Sequence, residues 1–242
     1  QTPGSYGNLE GWTVGSKAQL PVMEYFLKDK SMQAIKIQLF DSKGNKIRDL
    51  NASGNKGLNK VYWGLDQNPP KVAVGGFTAG STVLFSSVIG PRAPIGTYKA
   101  VLQIGDAKYE QAVQLVENPR KGFSAQTIQS VYNQSMRLFK LHEQLYQLVD
   151  SMDKQIAVLK KNEQRTEIES NKLKQLDSLR AEIIETNRKT VFFDEFKYRR
   201  KLSDVYVAIC IALEPFSPSK IGAIEVLEKE FDTLRKAYAA IR

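Results

Sequence analysis

Between Ser124 and Glu214 the chain contains neither proline nor glycine, and beyond that window only Pro215, Pro218 and Gly222 occur. These are the two residues least compatible with a helix interior, so so long a stretch without them points strongly to helix. The apolar pattern agrees. Ile128, Val131, Ser135, Leu138, His142, Leu145, Val149, Met152, Ile156 and Leu159 follow one another in steps of three and four, the a/d stripe of a packed helix. Leu141 and Leu148 widen that stripe. Ser124 is suited to cap its start. Asn162–Arg165 reads as a turn. A second helix is expected over about Glu167–Lys189, with Leu173, Leu176, Leu179 and Ile183 inward. A third is expected over about Glu195–Leu213, with Leu202, Val205, Ile209 and Leu213 inward. Glu214–Pro218 breaks the pattern, and Ser217 followed by Pro218 is a good helix start. The last helix carries Ile221, Ile224, Phe231, Leu234, Tyr238 and Ile241. Four amphipathic helices with short connections predict an antiparallel helical bundle. A long helical hairpin with two shorter helices packed on it is the alternative.

The preceding part reads differently. Met23–Lys28 is the first expected strand. In Ala34–Phe40, Ile35, Ile37 and Leu39 alternate with polar residues, Asp41–Asn45 is a turn, and Lys46–Leu50 returns, which together predict a hairpin. Leu58–Asp66 is a further strand in which Val61 and Trp63 share a face. Lys71–Ile89, rich in glycine, is expected to hold a long connection or a weak strand. Gly90–Gly96 is a Pro/Gly turn leading into a strand with Tyr98, Ala100, Leu102 and Ile104 on one face. Gly105–Lys108 turns the chain into a last strand from Tyr109 to Val116. Short strands at near-regular spacing predict an immunoglobulin-like or fibronectin-III-like β-sandwich. The expected fold is therefore α+β in two segregated domains. Residues 1–19 form an irregular lead-in, 20–118 the sandwich, 119–123 a linker and 124–242 the helical bundle.

A length of 242 residues suffices for two modest domains. No apolar run approaches the roughly 20 residues needed to span a bilayer, so no membrane span is expected. Gln1–Gly7 lacks the basic and apolar regions of a signal peptide, which leaves a mature start or a segment of a longer chain. The net charge of +9 is spread, +5 over residues 1–120 and +4 over the remainder. The local basic clusters, Arg120–Lys121, Lys160–Lys161 and Arg199–Lys201, read as solvated helix surface, and no nucleic-acid partner is expected. Cys210, the single cysteine, lies in an apolar helical context and reads as a buried small hydrophobe.

The candidates for chemistry are few. His142 is the only histidine and stands on the apolar seam, with no His or Cys partner near it in sequence. A metal site or a catalytic triad needs more than that, so a structural role is expected. Asp194 and Glu195 are adjacent and therefore point about 100° apart on a helix, a poor acid/base pair. No phosphate loop or nucleophile elbow is present. Neither catalytic residues nor a cofactor or metal is expected, and the chain is read as not an enzyme. The aromatic residues invite one binding hypothesis: Trp12, Tyr25 and Tyr62 are candidates for stacking on sugar rings, while Trp63 is assigned to the core.

The segments Tyr25–Lys28, Ile35–Asn45, Gly57–Leu65, Gly90–Tyr98 and the Asn118–Pro119 entry into long helices follow one another in an order that resembles the C-terminal region of bacterial BNR/sortilin-like repeat proteins, often labelled glycosyl hydrolases. Such proteins often read Trp-Asp-Leu where this chain has Trp63-Gly64-Leu65. The resemblance implies a propeller upstream of a sandwich and a helical region. No propeller blades occur in this sequence, so no catalytic residue is carried over from it. It also implies an exported protein, periplasmic or on the surface of a bacterium. The expected function is that of a non-catalytic accessory module that docks a propeller or an envelope protein. The alternatives are a carbohydrate-binding module and a homo-oligomer formed through the helices.

Overall fold

The computed structural model describes residues 21–73, 75, 82–117, 124–184, 197–211 and 217–241, together with the backbone of two strands at 6–9 and 12–15. The chain is mixed α+β, with antiparallel sheets first and helices after. The described strands are β1 (Tyr6–Leu9), β2 (Trp12–Gly15), β3 (Val22–Leu27), β4 (Ile35–Phe40), β5 (Lys46–Asn51), β6 (Gly57–Tyr62), β7 (Gly96–Ile104) and β8 (Ala107–Leu115). The described helices are α1 (Thr82–Ser86), α2 (Ala125–Lys161), α3 (Glu167–Ile183), α4 (Tyr198–Ile211) and α5 (Pro218–Ile241).

The lead-in is not irregular, as the sequence had suggested. β1 and β2 pair antiparallel with Leu9 opposite Trp12. Beyond them, β3 pairs with β6, and β5, β4, β7 and β8 form a four-stranded sheet in that order. Alternation sets the inner face of β4, where Ile35, Ile37 and Leu39 are buried. Ile37 stands between Leu50 on β5 and Leu102 on β7, and Leu39 stands opposite Ala100. On β5 the period of two fails, because Ile47 and Leu50 are three apart and both buried. The register explains this. Arg48 faces Leu39 and Lys46 faces Phe40, so Ile47 is an extra residue, a bulge that turns its side chain inward. Gly105, at φ +56°, supplies the left-handed first position of the two-residue turn between β7 and β8.

Trp63 anchors this unit. It is fully buried, its Nε1 donates to Asp66 O at 2.8 Å, and its ring meets Tyr98 edge-on with centroids 5.5 Å apart. Tyr98 is thus a packing residue at the start of β7, as the turn-plus-strand pattern predicts.

The cap read from sequence at Ser124 is present, and α3 carries one that was not read. Ser124 Oγ accepts from Thr127 N at the head of α2. At α3, Thr166 and Glu169 form a reciprocal capping box. Along α2 every seam residue from Val131 to Ile156 is buried, the polar Ser135 and His142 included. From Leu138 onward the apolar seam residues join Leu176, Leu179 and Ile183 of α3, Leu202, Tyr206 and Ile209 of α4, and Ile224, Leu227 and Phe231 of α5 in one core. The second helix was expected to reach Lys189. It is described to Ile183, and 185–196 lie outside the described residues, as do the expected linker at 119–123 and the break at Glu214–Phe216.

The division of the chain differs from the continuous one expected. One compact unit comprises residues 1–66 and 97–114, and the other 67–96 and 115–242. The segment 67–96, assigned from sequence to the strands, packs with the helices and carries a short helix, α1, where a weak strand was considered. The reason lies in its backbone. A buried irregular segment must find partners for its carbonyls, and α4 supplies them. Arg199 Nη1 donates to Ala73 O at 3.1 Å and Gly75 O at 2.7 Å, and Tyr206 OH donates to Ile89 O at 2.9 Å. Ser86 and Ser203 hydroxyls meet at 3.2 Å, and Thr82 bonds Asp204. Ala73 is buried in the helical core. In sequence this segment lacks helical periodicity and sits between two strands, so nothing there separates the two assignments.

Candidate functional site

The two faces of the β3–β6 pair offer the most to a ligand. Register places Met23 beside Val61 and Tyr25 beside Asn59 on the inner face. It places Val22 beside Tyr62, Glu24 beside Lys60 and Phe26 beside Leu58 on the outer face. The inner face borders a cleft of about 460 Å³. One wall is the run 21–25, and the other is 109–111 with Val113 of β8. Ile37, Trp63, Ala100 and Leu102 form an apolar floor. Pro21 and the first four residues of β3 line it, and consecutive strand residues cannot all point to one face, so the cleft runs along the edge of β3. Among the described residues, that edge of β3 and the outer edge of β8 pair with no other strand.

Tyr25 is half-buried at the wall, and its hydroxyl donates to Ser53 O at 2.5 Å. Burial raises its pKa above the usual phenol value, against the lowering effect of the Ser53 bond. At the mouth, Glu24 pairs with Lys60 at 2.7 Å and Glu110 with Lys99 at 3.1 Å. The hydrogen bond to Glu24, backed by its charge, raises the Lys60 pKa.

The outer face is apolar at both ends. Phe26 is 70% exposed, Leu58 59% and Val22 43%, flanking the Glu24–Lys60 pair. Of the three aromatics singled out as sugar platforms, Tyr25 lies on the inner face and Tyr62 on the outer, so the structure does not bring these two together. Trp12 stands in β2 opposite Leu9, and its side chain lies outside the described residues. What sequence reasoning missed is Phe26 and Leu58. The signal was available: β3 is apolar on both faces, with Met23, Tyr25 and Leu27 on one and Val22 and Phe26 on the other.

The other sequence candidates resolve into structure. His142 is fully buried, its ring meets Tyr206 edge-on at 5.1 Å, and neither ring nitrogen has a hydrogen-bond partner. Burial pushes its pKa down to about 3, so it stays neutral near pH 7. Cys210 is buried in the helical core. Asp194 and Glu195 lie outside the described residues. Of the basic clusters, Arg120–Lys121 lies outside the described residues, while in the other two Lys160 pairs with Asp177, Arg200 with Asp204, Lys201 with Glu230, and Arg199 with the 73–75 carbonyls. No helix among the described residues is long and apolar enough to cross a membrane. Among them no three His, Cys, Asp or Glu side chains gather as metal ligands.

No protein-family model matches the chain, and no curated protein matches it.

Proposed function

We propose that this chain is a non-catalytic interaction module, an immunoglobulin-like β-sandwich joined to an antiparallel helical bundle, that docks a protein partner. In this reading it is the C-terminal part of a larger exported protein of the BNR/sortilin-like kind, periplasmic or at the bacterial surface, and the partner is its own propeller or an envelope protein. The observation that carries the proposal is the outer face of β3–β6. There two cross-strand apolar pairs, Val22 with half-buried Tyr62 and Phe26 with Leu58, flank an ion pair, and Val22, Phe26 and Leu58 stand exposed. Apolar cross-strand pairs contribute to a sheet chiefly when covered, and exposed apolar groups rimmed by polar ones mark interaction surfaces. The sugar-platform reading has less support, since Tyr25 and Tyr62 face opposite ways.

The test is site-specific photo-crosslinking in bacterial cells, with a benzophenone side chain at Phe26 and, as control, at exposed Lys36. The expected result is one discrete adduct from position 26, to an envelope protein or a propeller, that is absent from position 36. The same diffuse pattern from both positions refutes the proposal.

A further inference from the structure

We infer that the cleft between β3 and β8 is a strand-addition site that takes an extended peptide with alternating apolar and basic side chains. This inference shares Glu24 with the outer face but rests on the strand edges and the apolar floor of the cleft. Its walls are two strand edges, and the run 21–25 is about 17 Å long at ~3.3 Å per residue, enough for a five-residue strand. An added strand completes its hydrogen bonds on an exposed edge, and alternate side chains then enter pockets. Here the inward side chains meet the floor of Ile37, Trp63, Ala100 and Leu102 and cover Tyr109, which is 61% exposed.

Charge selects the outward side chains. Glu24 and Glu110 stand on opposite walls, and among the described residues neither lysine nor arginine lines the cleft, in a chain whose net charge is +9. Their lysine partners, Lys60 of β6 and Lys99 of β7, hold them at 2.7 and 3.1 Å in solvent-exposed pairs but do not line the cleft, so a peptide cation shares these carboxylates with weakly held lysines. A strand seated between the walls therefore presents its outward residues to carboxylates on both sides, and lysine or arginine there is the complementary choice.

The probe is a blocked, fluorescein-labelled heptapeptide in which lysine alternates with valine, titrated with the full 242-residue chain by fluorescence anisotropy. Two peptides serve as controls, one with glutamate for lysine and one with N-methylated valines, which keeps the side chains and removes backbone donors. Saturable binding is expected, weakened at least tenfold by N-methylation and at least fivefold in the Glu24→Gln/Glu110→Gln double variant, with no binding of the glutamate peptide. The N-methylated control needs no variant of the protein, so the inference stays testable if the double variant folds poorly. Several outcomes overturn it: no saturable binding, equal binding of the N-methylated or glutamate peptide, competition by self-association of the chain, or binding only after residues 1–20 are removed. The last would make the chain's own leading segment the occupant.

Discussion

Replacing His142 by leucine tests the reading of the helical core most sharply. The position lies on the α2 seam between Leu138 and Leu145, and the imidazole nitrogens find no partner there. The folded-state pKa, about 3, lies below the ordinary value of 6.5, so the unfolded chain binds this proton more readily than the folded one. The sign follows: the stability is fully present above pH 6.5 and is lost as pH falls from there towards 3. Linkage over that interval gives a loss of about 1 kcal/mol at pH 6, about 2 at pH 5 and about 3 at pH 4, with a limit near 5. Leucine abolishes this part. It also removes two unsatisfied polar atoms, worth about 1–3 kcal/mol, and forfeits the edge contact with Tyr206, about 0.5–1.5 kcal/mol. At pH 7 the first outweighs the second by about 1 kcal/mol, in favour of leucine. The assay is urea unfolding followed by circular dichroism at 222 nm, which reports the helices, for both proteins at pH 7, 6 and 5. The stability difference should shift by about 2 kcal/mol in favour of the variant between pH 7 and 5. Parallel pH profiles, agreeing within about 0.5 kcal/mol, a quarter of that linkage shift, would refute the argument.

Three further outcomes follow from individual contacts. Arg199→Met removes the donors to the Ala73 and Gly75 carbonyls and should cost the helical unit about 2–4 kcal/mol. Hydrogen exchange over α1 and α4 should rise with it, and unchanged exchange would contradict the clamp. Trp63→Ala should destabilise the strand unit by about 3–5 kcal/mol, read as loss of its near-ultraviolet dichroism and earlier unfolding. Thr166→Ala should cost about 1 kcal/mol by breaking the capping box at α3, measurable as a fall in the thermal midpoint of the helices.

Much of this architecture was legible, and the reason is local chemistry. The cap at Ser124, the α2 seam and the inward row of β4 all depend on residues within a few positions of one another; the capping box at Thr166 is as local but was passed over. Trp63 was legible because alternation paired it with Val61. The segment 67–96 was not, because what places it is Arg199 and Tyr206, more than a hundred residues away. The bulge at Ile47 was hidden too, since one extra residue on β5 is visible only once its partner strand is known. Of the candidate site, Tyr25 and Tyr62 were picked out but not their opposite faces. That depends on the β3–β6 register, which a sequence shows only when one face is clearly polar, and here both faces are apolar.

The unequal sheets of the strand unit give the inferred peptide site a thermodynamic signature. A two-stranded sheet is marginal by itself. β3 and β6 are held by inner-face packing on Trp63, by the Tyr25 bond to Ser53 and by Trp63 N donating to Pro21 O at 3.0 Å. A strand added at the free edge of β3 converts this pair into three strands and binds only the folded unit. At a free peptide concentration a hundredfold above its dissociation constant, it should stabilise that unit by about 2.7 kcal/mol. The lining residues all belong to the strand unit, so the gain should appear in the near-ultraviolet transition that reports Trp63 and leave the 222 nm helical transition unmoved. Equal shifts in both transitions would place the peptide elsewhere, and a shift in the helical transition alone would assign it to the groove between α2 and α5, whose floor is Leu141, Leu148 and Phe231.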